Sequence, residues 1–261
     1  MIFHHIIISL FIYFLPKLKS FIVLIIFASL ASCSSDTNDS NFDLSNFIKP
    51  EYTFKKSSLR CALVSGETLN SVERFIPKLV NSFTQTGDSS DELYFLFPVI
   101  EDEIETQTFE LLLKHADETS LEKFSLTLDA LSFDNIADCN VSSVSSRSLR
   151  ITNQMINLSP VIAEILECEY RDNYSYATMK LVIEQFNDAL IKNNLIIDIL
   201  YSENENSKGN FQWTNIFSSL ESRVDFVELW QELEISKEIQ ELLLEQSACK
   251  SSRVYRQYQV L

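Results

Sequence analysis

Cysteine is the residue type with the most varied possible chemistry in this chain of 261 residues. Apart from Cys33, it occurs at Cys61, Cys139, Cys168 and Cys249. In an oxidising compartment, four cysteines allow three ways of forming two disulfides, and their spacing alone does not choose among them. A zinc or redox-active site is the alternative, but no two of these cysteines form a Cys-x-x-Cys pair, which disfavours it.

The order of residues near the N-terminus has the form of a bacterial export signal. Two lysines precede an apolar run at 21–29, and Leu30-Ala31-Ser32-Cys33 follows. These four residues resemble the lipobox of bacterial lipoproteins, which implies cleavage before Cys33 and a lipid on its thiol. The resemblance predicts a signal peptide over 1–32. The residue after the cysteine is Ser34 rather than Asp, which favours the outer membrane of a Gram-negative bacterium, facing the periplasm.

Composition predicts a polar tether followed by an acidic folded region. Residues 34–50 are rich in Ser, Asp and Asn, so we expect 33–57 to be a flexible tether. The net charge of −16 disfavours binding to nucleic-acid phosphates. The chain has three glycines, Gly66, Gly87 and Gly209, which are too far apart for the phosphate-binding loops of P-loop or dinucleotide sites.

Few residues remain for acid–base or pocket chemistry. Of the three histidines, only His115 lies outside the predicted signal peptide. It could be a general base, but a surface histidine at a strand end is the simpler interpretation. Trp213 and Trp230 could line an internal pocket, with core packing as the simpler alternative. We therefore predict no catalytic residue, no metal and no cofactor.

Hydrophobic periodicity predicts the same element order in both halves: strand, helix, strand, strand, helix, strand. In the first half the predicted strands are 58–65, 93–99 and 106–115, the helices are 69–83 and about 119–131, and the Ser-rich run 141–148 is a linker or a weak edge strand. In the second half the predicted strands are 161–170, 195–201, 211–217 and 252–261, and the helices begin at the caps Ser175 and Ser222, the latter paired with Asp225 in a capping box.

The two halves also align residue by residue, which predicts an internal duplication. Cys61 aligns with Cys168, and the apolar positions of the helices that follow match in register. Phe109 aligns with Phe211. Shared apolar spacing alone would explain part of this match, but equivalent cysteines are harder to obtain from composition.

A βαββαβ order is that of the ferredoxin-like fold. Two such units, at 58–150 and 151–261, resemble the dimeric α+β-barrel superfamily that includes the antibiotic-biosynthesis-monooxygenase domains. The resemblance implies an α+β fold in which two sheets face each other in a pseudo-dimeric barrel, with helices outside. It rests on the element pattern, and most on the Phe211-Gln212-Trp213 strand and the helix that carries Phe226 and Trp230. It transfers no catalytic residue.

The ferredoxin-like arrangement implies a disulfide pairing. The first and last strands of such a unit are neighbours, which brings Cys61 near Cys139 and Cys168 near Cys249. Neighbouring strands provide the Cα separation that a disulfide needs.

These expectations favour a non-enzymatic envelope lipoprotein, attached to the membrane through the lipid on Cys33, that binds a protein partner or a small apolar ligand and no nucleic acid. The alternative is a cofactor-free, oxygenase-like or ligand-modifying enzyme of the α+β-barrel superfamily. Fold resemblance alone is weak support for an activity.

Overall fold

The computed structural model describes residues 53–86, 91–99, 107–116, 118–152, 156 and 158–261. Cys33, the predicted signal peptide and most of the predicted tether lie outside the described residues. Within the described part, no helix combines the length and apolar character that crossing a membrane requires.

The described residues form eight strands and five α-helices. In the first half these are β1 (Thr53–Leu63), α1 (Leu69–Thr86), β2 (Glu92–Pro98), β3 (Thr108–His115), α2 (Glu118–Ala130) and β4 (Ala137–Arg150), with a 3₁₀ turn at Phe133–Asn135 before β4. In the second half they are β5 (Val161–Tyr170), α3 (Tyr176–Lys192), β6 (Asp198–Asn204), β7 (Asn210–Phe217), α4 (Leu220–Glu232), α5 (Glu234–Gln246) and β8 (Ser247–Gln259).

The eight strands close into one barrel with antiparallel pairing throughout, in the order β1-β3-β2-β8-β5-β7-β6-β4. The first half supplies β4-β1-β3-β2, and the second supplies β8-β5-β7-β6, which is the same ferredoxin-like order. The halves join through β2–β8 and β6–β4, and these two seams are equivalent under the duplication. The predicted α+β fold of two ferredoxin-like units in a barrel is therefore confirmed.

The helices cover the outside of the barrel and form two separate cores with it. In the first half, Val72 and Leu79 of α1 and Phe124 of α2 pack against Phe95 and Phe109 of the sheet. In the second half, the corresponding core contains Phe186 of α3, Trp230 of α4 and Ile239 of α5. Burial of these apolar faces is the main source of stability for such layers.

Both disulfides of the pairing implied by the ferredoxin-like arrangement are present. Cys61 and Cys139 are directly opposite on β1 and β4, with Cα atoms 4.0 Å apart. Cys168 and Cys249 are directly opposite on β5 and β8, with Cα atoms 3.9 Å apart. Each bond ties the first strand of a unit to its last.

Three local predictions from the sequence need correction. β1 begins at Thr53, so residues 53–57 belong to the barrel rather than to the tether. The Ser-rich run 141–148 is the middle of β4 and is no edge, because the closed barrel places β1 on one side of it and β6 on the other. The cap of α4 is Ser219, whose hydroxyl accepts from the Ser222 amide, rather than the predicted Ser222–Asp225 box.

Candidate ligand-binding site

The strand residues that do not face the helices line the barrel interior. On β3, Phe109, Leu111 and Leu113 pack into the helix-covered core. Because side chains alternate along a strand, Glu110 and Leu112 lie on the interior side. The same alternation on the other strands gives an interior that is partly apolar and partly polar.

A chain of polar contacts crosses this interior. Arg253 Nη1 lies 2.9 Å from Glu110 Oε1, and its Nη2 lies 3.0 Å from Glu167 Oε1. Tyr255 Oη donates to the same Glu110 oxygen at 2.8 Å. Gln212 Nε2 donates to Glu167 Oε1 at 2.9 Å. Since β2 lies between β8 and β3, the Arg253–Glu110 pair reaches over one intervening strand rather than joining neighbouring strands.

Lys56 extends this network to β1 and is the most unusual ionisable group in it. Its side chain is buried, and Nζ donates to Gln212 Oε1 at 2.7 Å across the barrel. Among the described residues, no carboxylate forms an ion pair with this ammonium. Burial lowers the pKa of Lys56 from 10.5 to about 8, and the negative charges of Glu167 and Glu110 oppose part of that shift.

Lys56 lies at a small cavity at one end of the barrel. The cavity has a volume of about 80 Å³, and its walls come from β1, β4, β5, β6 and β7, with one residue of β8. Its polar lining includes Lys56, Ser145, Glu167, Ser202, Gln212 and Lys250. Ser202 is 3% exposed, and its hydroxyl has no hydrogen-bond partner among the described residues. The lining therefore contains a buried hydroxyl and a buried ammonium with unused hydrogen-bonding capacity.

The internal duplication explains why the cavity lies beside the β4–β6 seam, whereas the equivalent β2–β8 seam is packed with apolar side chains. The pair Cys61–Phe109 is equivalent to Cys168–Phe211, so Ser58–Leu112 is equivalent to Ile165–Thr214. By the same register, four interior residues that pack as an apolar cluster correspond to four buried hydroxyl residues: Leu96 to Ser202, Leu112 to Thr214, Ile165 to Ser58 and Tyr255 to Ser145.

Lys56 itself corresponds to Ala163, which is fully buried. The interior beside the β2–β8 seam is thus filled by Leu, Ile and Tyr, whereas the interior beside the equivalent β4–β6 seam has small hydroxyl residues and a lysine. Ser and Thr leave space that the larger apolar side chains fill at the other seam. The cavity is a consequence of this difference between the two equivalent seams.

The site residues considered from the sequence lie elsewhere. His115 is buried, not on the surface as the simpler interpretation held, and its Nε2 is 2.9 Å from Ser57 Oγ. Trp230 is buried in the second core with its ring nearly perpendicular to that of Phe186, and Trp213 packs against that core. None of these three lines the cavity.

Sequence reasoning missed Lys56 because that residue fell within the predicted tether. The signal that would have found it lies in the alignment of the two halves, in which the charged Lys56 corresponds to the apolar Ala163 at an interior position. The described residues contain no group of three or more His, Cys, Asp and Glu side chains placed to hold a metal ion. That the protein uses no metal or cofactor stays a prediction.

Comparison with known proteins gives similarity in structure only. Neither a protein-family sequence model nor a curated protein matches this chain. A Lactobacillus acidophilus protein assigned as a monooxygenase has a TM-score of 0.54 and 9% identity, over 80% of this chain and 94% of its own. The Fusobacterium nucleatum protein with the same assignment has a TM-score of 0.55, 8% identity and the same two coverages.

A mutant form of chlorite dismutase from Candidatus Nitrospira defluvii has a TM-score of 0.53 and 6% identity, over 79% of this chain and 92% of its own. The chain has the dimeric α+β-barrel fold. In this protein the two barrel halves are parts of a single chain, as the internal duplication implies. The structural similarity establishes the fold, and sequence identities this low assign no activity.

Proposed function

We propose that this chain is a lipid-anchored envelope protein whose barrel binds a small polar molecule in the cavity beside Lys56. The ligand has a few heavy atoms and at least one oxygen that accepts hydrogen bonds from the Lys56 ammonium and the Ser202 hydroxyl. A cavity of about 80 Å³ is well below the roughly 300–1,000 Å³ of pockets for drug-sized molecules. It is nevertheless large enough for several waters or one small metabolite.

The observation that carries this proposal is the buried Lys56 ammonium at the cavity wall. A buried charge without an ionic partner destabilises the fold, and a buried hydroxyl without a partner does so as well. The positions equivalent to Lys56 and Ser202 under the duplication, Ala163 and Leu96, show that this barrel accommodates apolar residues there. Polar groups kept at such a cost are typical of a binding site.

The polar lining favours a polar ligand over the apolar one that the sequence suggested. Attachment to the membrane through Cys33 remains part of the proposal, and the residues around Cys33 support it. The proposed molecule is therefore a barrel, attached to the membrane through a tether, that binds small molecules near the membrane surface.

An oxygenase-like enzyme is the second candidate. It is favoured by the shared fold with proteins assigned as monooxygenases and by the polar groups of the barrel interior. An oxygenase would consume oxygen when a cavity ligand is supplied, whereas a binding protein would leave the oxygen concentration unchanged.

Ligand-observed NMR with acetate, acetone, acetamide and acetaldehyde tests the proposal on the full-length chain in detergent. Ser202→Leu places in the cavity the residue that the other half has at the equivalent position, and should abolish the saturation-transfer signal. The matched control is Ser146→Leu, the same change at an exposed position of β4 outside the cavity lining. The proposal fails if no probe binds the wild-type chain, or if Ser202→Leu binds as well as Ser146→Leu.

A further inference from the structure

We propose that the Lys56 amine forms a reversible imine with a small aldehyde that enters the cavity, so that the site captures its ligand covalently. This inference rests on the proposed function, because it requires that small oxygen-bearing molecules enter the same cavity. It is carried by the position of Nζ at the cavity wall, by its neutral partner Gln212, and by the unpartnered hydroxyl of Ser202.

A lysine must be uncharged to act as a nucleophile, and the surroundings of Lys56 favour that state. Its Nζ is buried and hydrogen bonded to an amide oxygen rather than paired with a carboxylate. Desolvation lowers the pKa of Lys56 to about 8. At pH 7 its unprotonated fraction is then roughly 100-fold or more above that of an ordinary lysine. Desolvation is a recognised way of activating a lysine toward carbonyl carbon.

The charges around the cavity select an uncharged aldehyde over an oxo acid. Three carboxylates, Glu167, Glu169 and Glu203, line the cavity along with two amines, Lys56 and Lys250. Each carboxylate has its own cation: Arg253 pairs with Glu167, Lys250 with Glu169 and Arg147 with Glu203. Once Lys56 is neutral these charges balance, so a ligand carboxylate would add a charge that none of these paired cations is free to offset, whereas a neutral aldehyde adds none.

The chemistry balances without an oxidant or reductant. The Lys56 nitrogen attacks the carbonyl carbon, a C–N bond forms, and the carbonyl oxygen becomes the hydroxyl of a carbinolamine. The carbinolamine loses that oxygen as water, which carries away the two hydrogens of the amine, and the imine remains. Ser202 donates a hydrogen bond to the carbonyl oxygen, and Glu167, on the cavity wall, accepts the proton released from nitrogen and returns it to the leaving oxygen.

Reductive trapping tests this inference. The full-length chain is incubated with acetaldehyde and sodium cyanoborohydride at pH 7, digested, and mapped by mass spectrometry for N-ethyl lysine. We expect Lys56 to be ethylated at least about tenfold faster than the exposed Lys237, given its larger unprotonated fraction. The Ser202→Leu variant should lose ethylation at Lys56 and keep it at Lys237, and the Ser146→Leu variant should match the wild type.

Acetamide, which has a similar size and does not condense with amines, separates this inference from the proposed function. If acetamide binds the wild-type chain but not Ser202→Leu, and Lys56 is ethylated no faster than Lys237, the imine is refuted and the binding site stands. If none of the four probes shows binding to the wild-type chain, both are refuted. Preferential ethylation of Lys56 that persists in Ser202→Leu would also refute the inference, because the reaction would then not use the cavity.

Discussion

Replacing Lys56 by methionine should change how the stability of the protein depends on pH. The pKa of Lys56 is about 8 in the folded chain, against 10.5 as its ordinary value. Between these values the unfolded chain binds more protons at this residue than the folded chain does. The free energy of unfolding therefore rises with pH in that window, and below pH 8 the full destabilisation by the buried ammonium is present.

The magnitude follows from the two pKa values. A shift from 10.5 to about 8 corresponds to about 3 kcal/mol of destabilisation when Lys56 is fully charged. Between pH 7 and pH 9.5, the wild-type chain should gain about 2 kcal/mol relative to Lys56→Met. Burial raises the pKa of tyrosines such as Tyr94 and Tyr201, but these are common to both chains and cancel in the difference.

Urea denaturation at a series of pH values measures this difference. The matched control is Lys237→Met, which removes an exposed lysine and should leave the pH dependence as in the wild type. A difference between wild type and Lys56→Met that stays flat from pH 7 to pH 9.5 would refute the reasoning. So would a difference of the opposite sign, which would mean that Lys56 is stabilised in its charged form.

Three further predictions concern the disulfides, the interior ion pairs and the anchor. Replacing both Cys168 and Cys249 by serine should lower the free energy of unfolding by about 4 kcal/mol, measured in urea, because the bond closes a loop of some 80 residues; an unchanged midpoint would contradict this. Arg253→Met should destabilise the chain by roughly 1.5–3 kcal/mol, since it removes the closest cation of Glu110 while Arg60 remains 3.5 Å from the same oxygen, and thermal melting would reveal no shift if the pair were unimportant. Intact-mass analysis of membrane-extracted protein should show an N-terminal lipidated Cys33, and a chain that begins at Met1 would disprove the anchor.

The sequence predicted the fold because the duplicated pattern constrains it strongly. Apolar alternation located most strands, and the ferredoxin-like order then placed first and last strands side by side, which gave the cysteine pairing. Prediction failed for 141–148, because its serines gave no apolar signal, although Ser145 and Ser148 are buried on the polar interior side. It failed again at Thr53–Ser57, where polar residues join a strand only because the barrel closes around them.

The candidate site was harder to predict, because its residues converge only when the barrel closes. Lys56 and Gln212 lie far apart in the chain and on strands that are not neighbours, so no local motif connects them. His115, Trp213 and Trp230 attracted attention for their chemistry, but they lie on the helix-covered side. Their side chains fill the cores. The polar groups at the cavity come from lysine, glutamine and serine, which are too common in any sequence to mark a site.

One NMR experiment tests the central claim most directly. In the full-length chain labelled with ¹³C at the lysine ε-carbons, one resonance should titrate with a pKa of about 8 and be absent from Lys56→Met. Adding acetamide at pH 7 should shift that resonance in the wild type and leave it unmoved in Ser202→Leu. If acetamide and the other probes leave the Lys56 resonance unmoved, the cavity beside Lys56 is not a ligand-binding site. If every lysine titrates near its ordinary value, the ammonium of Lys56 is not desolvated as the account requires.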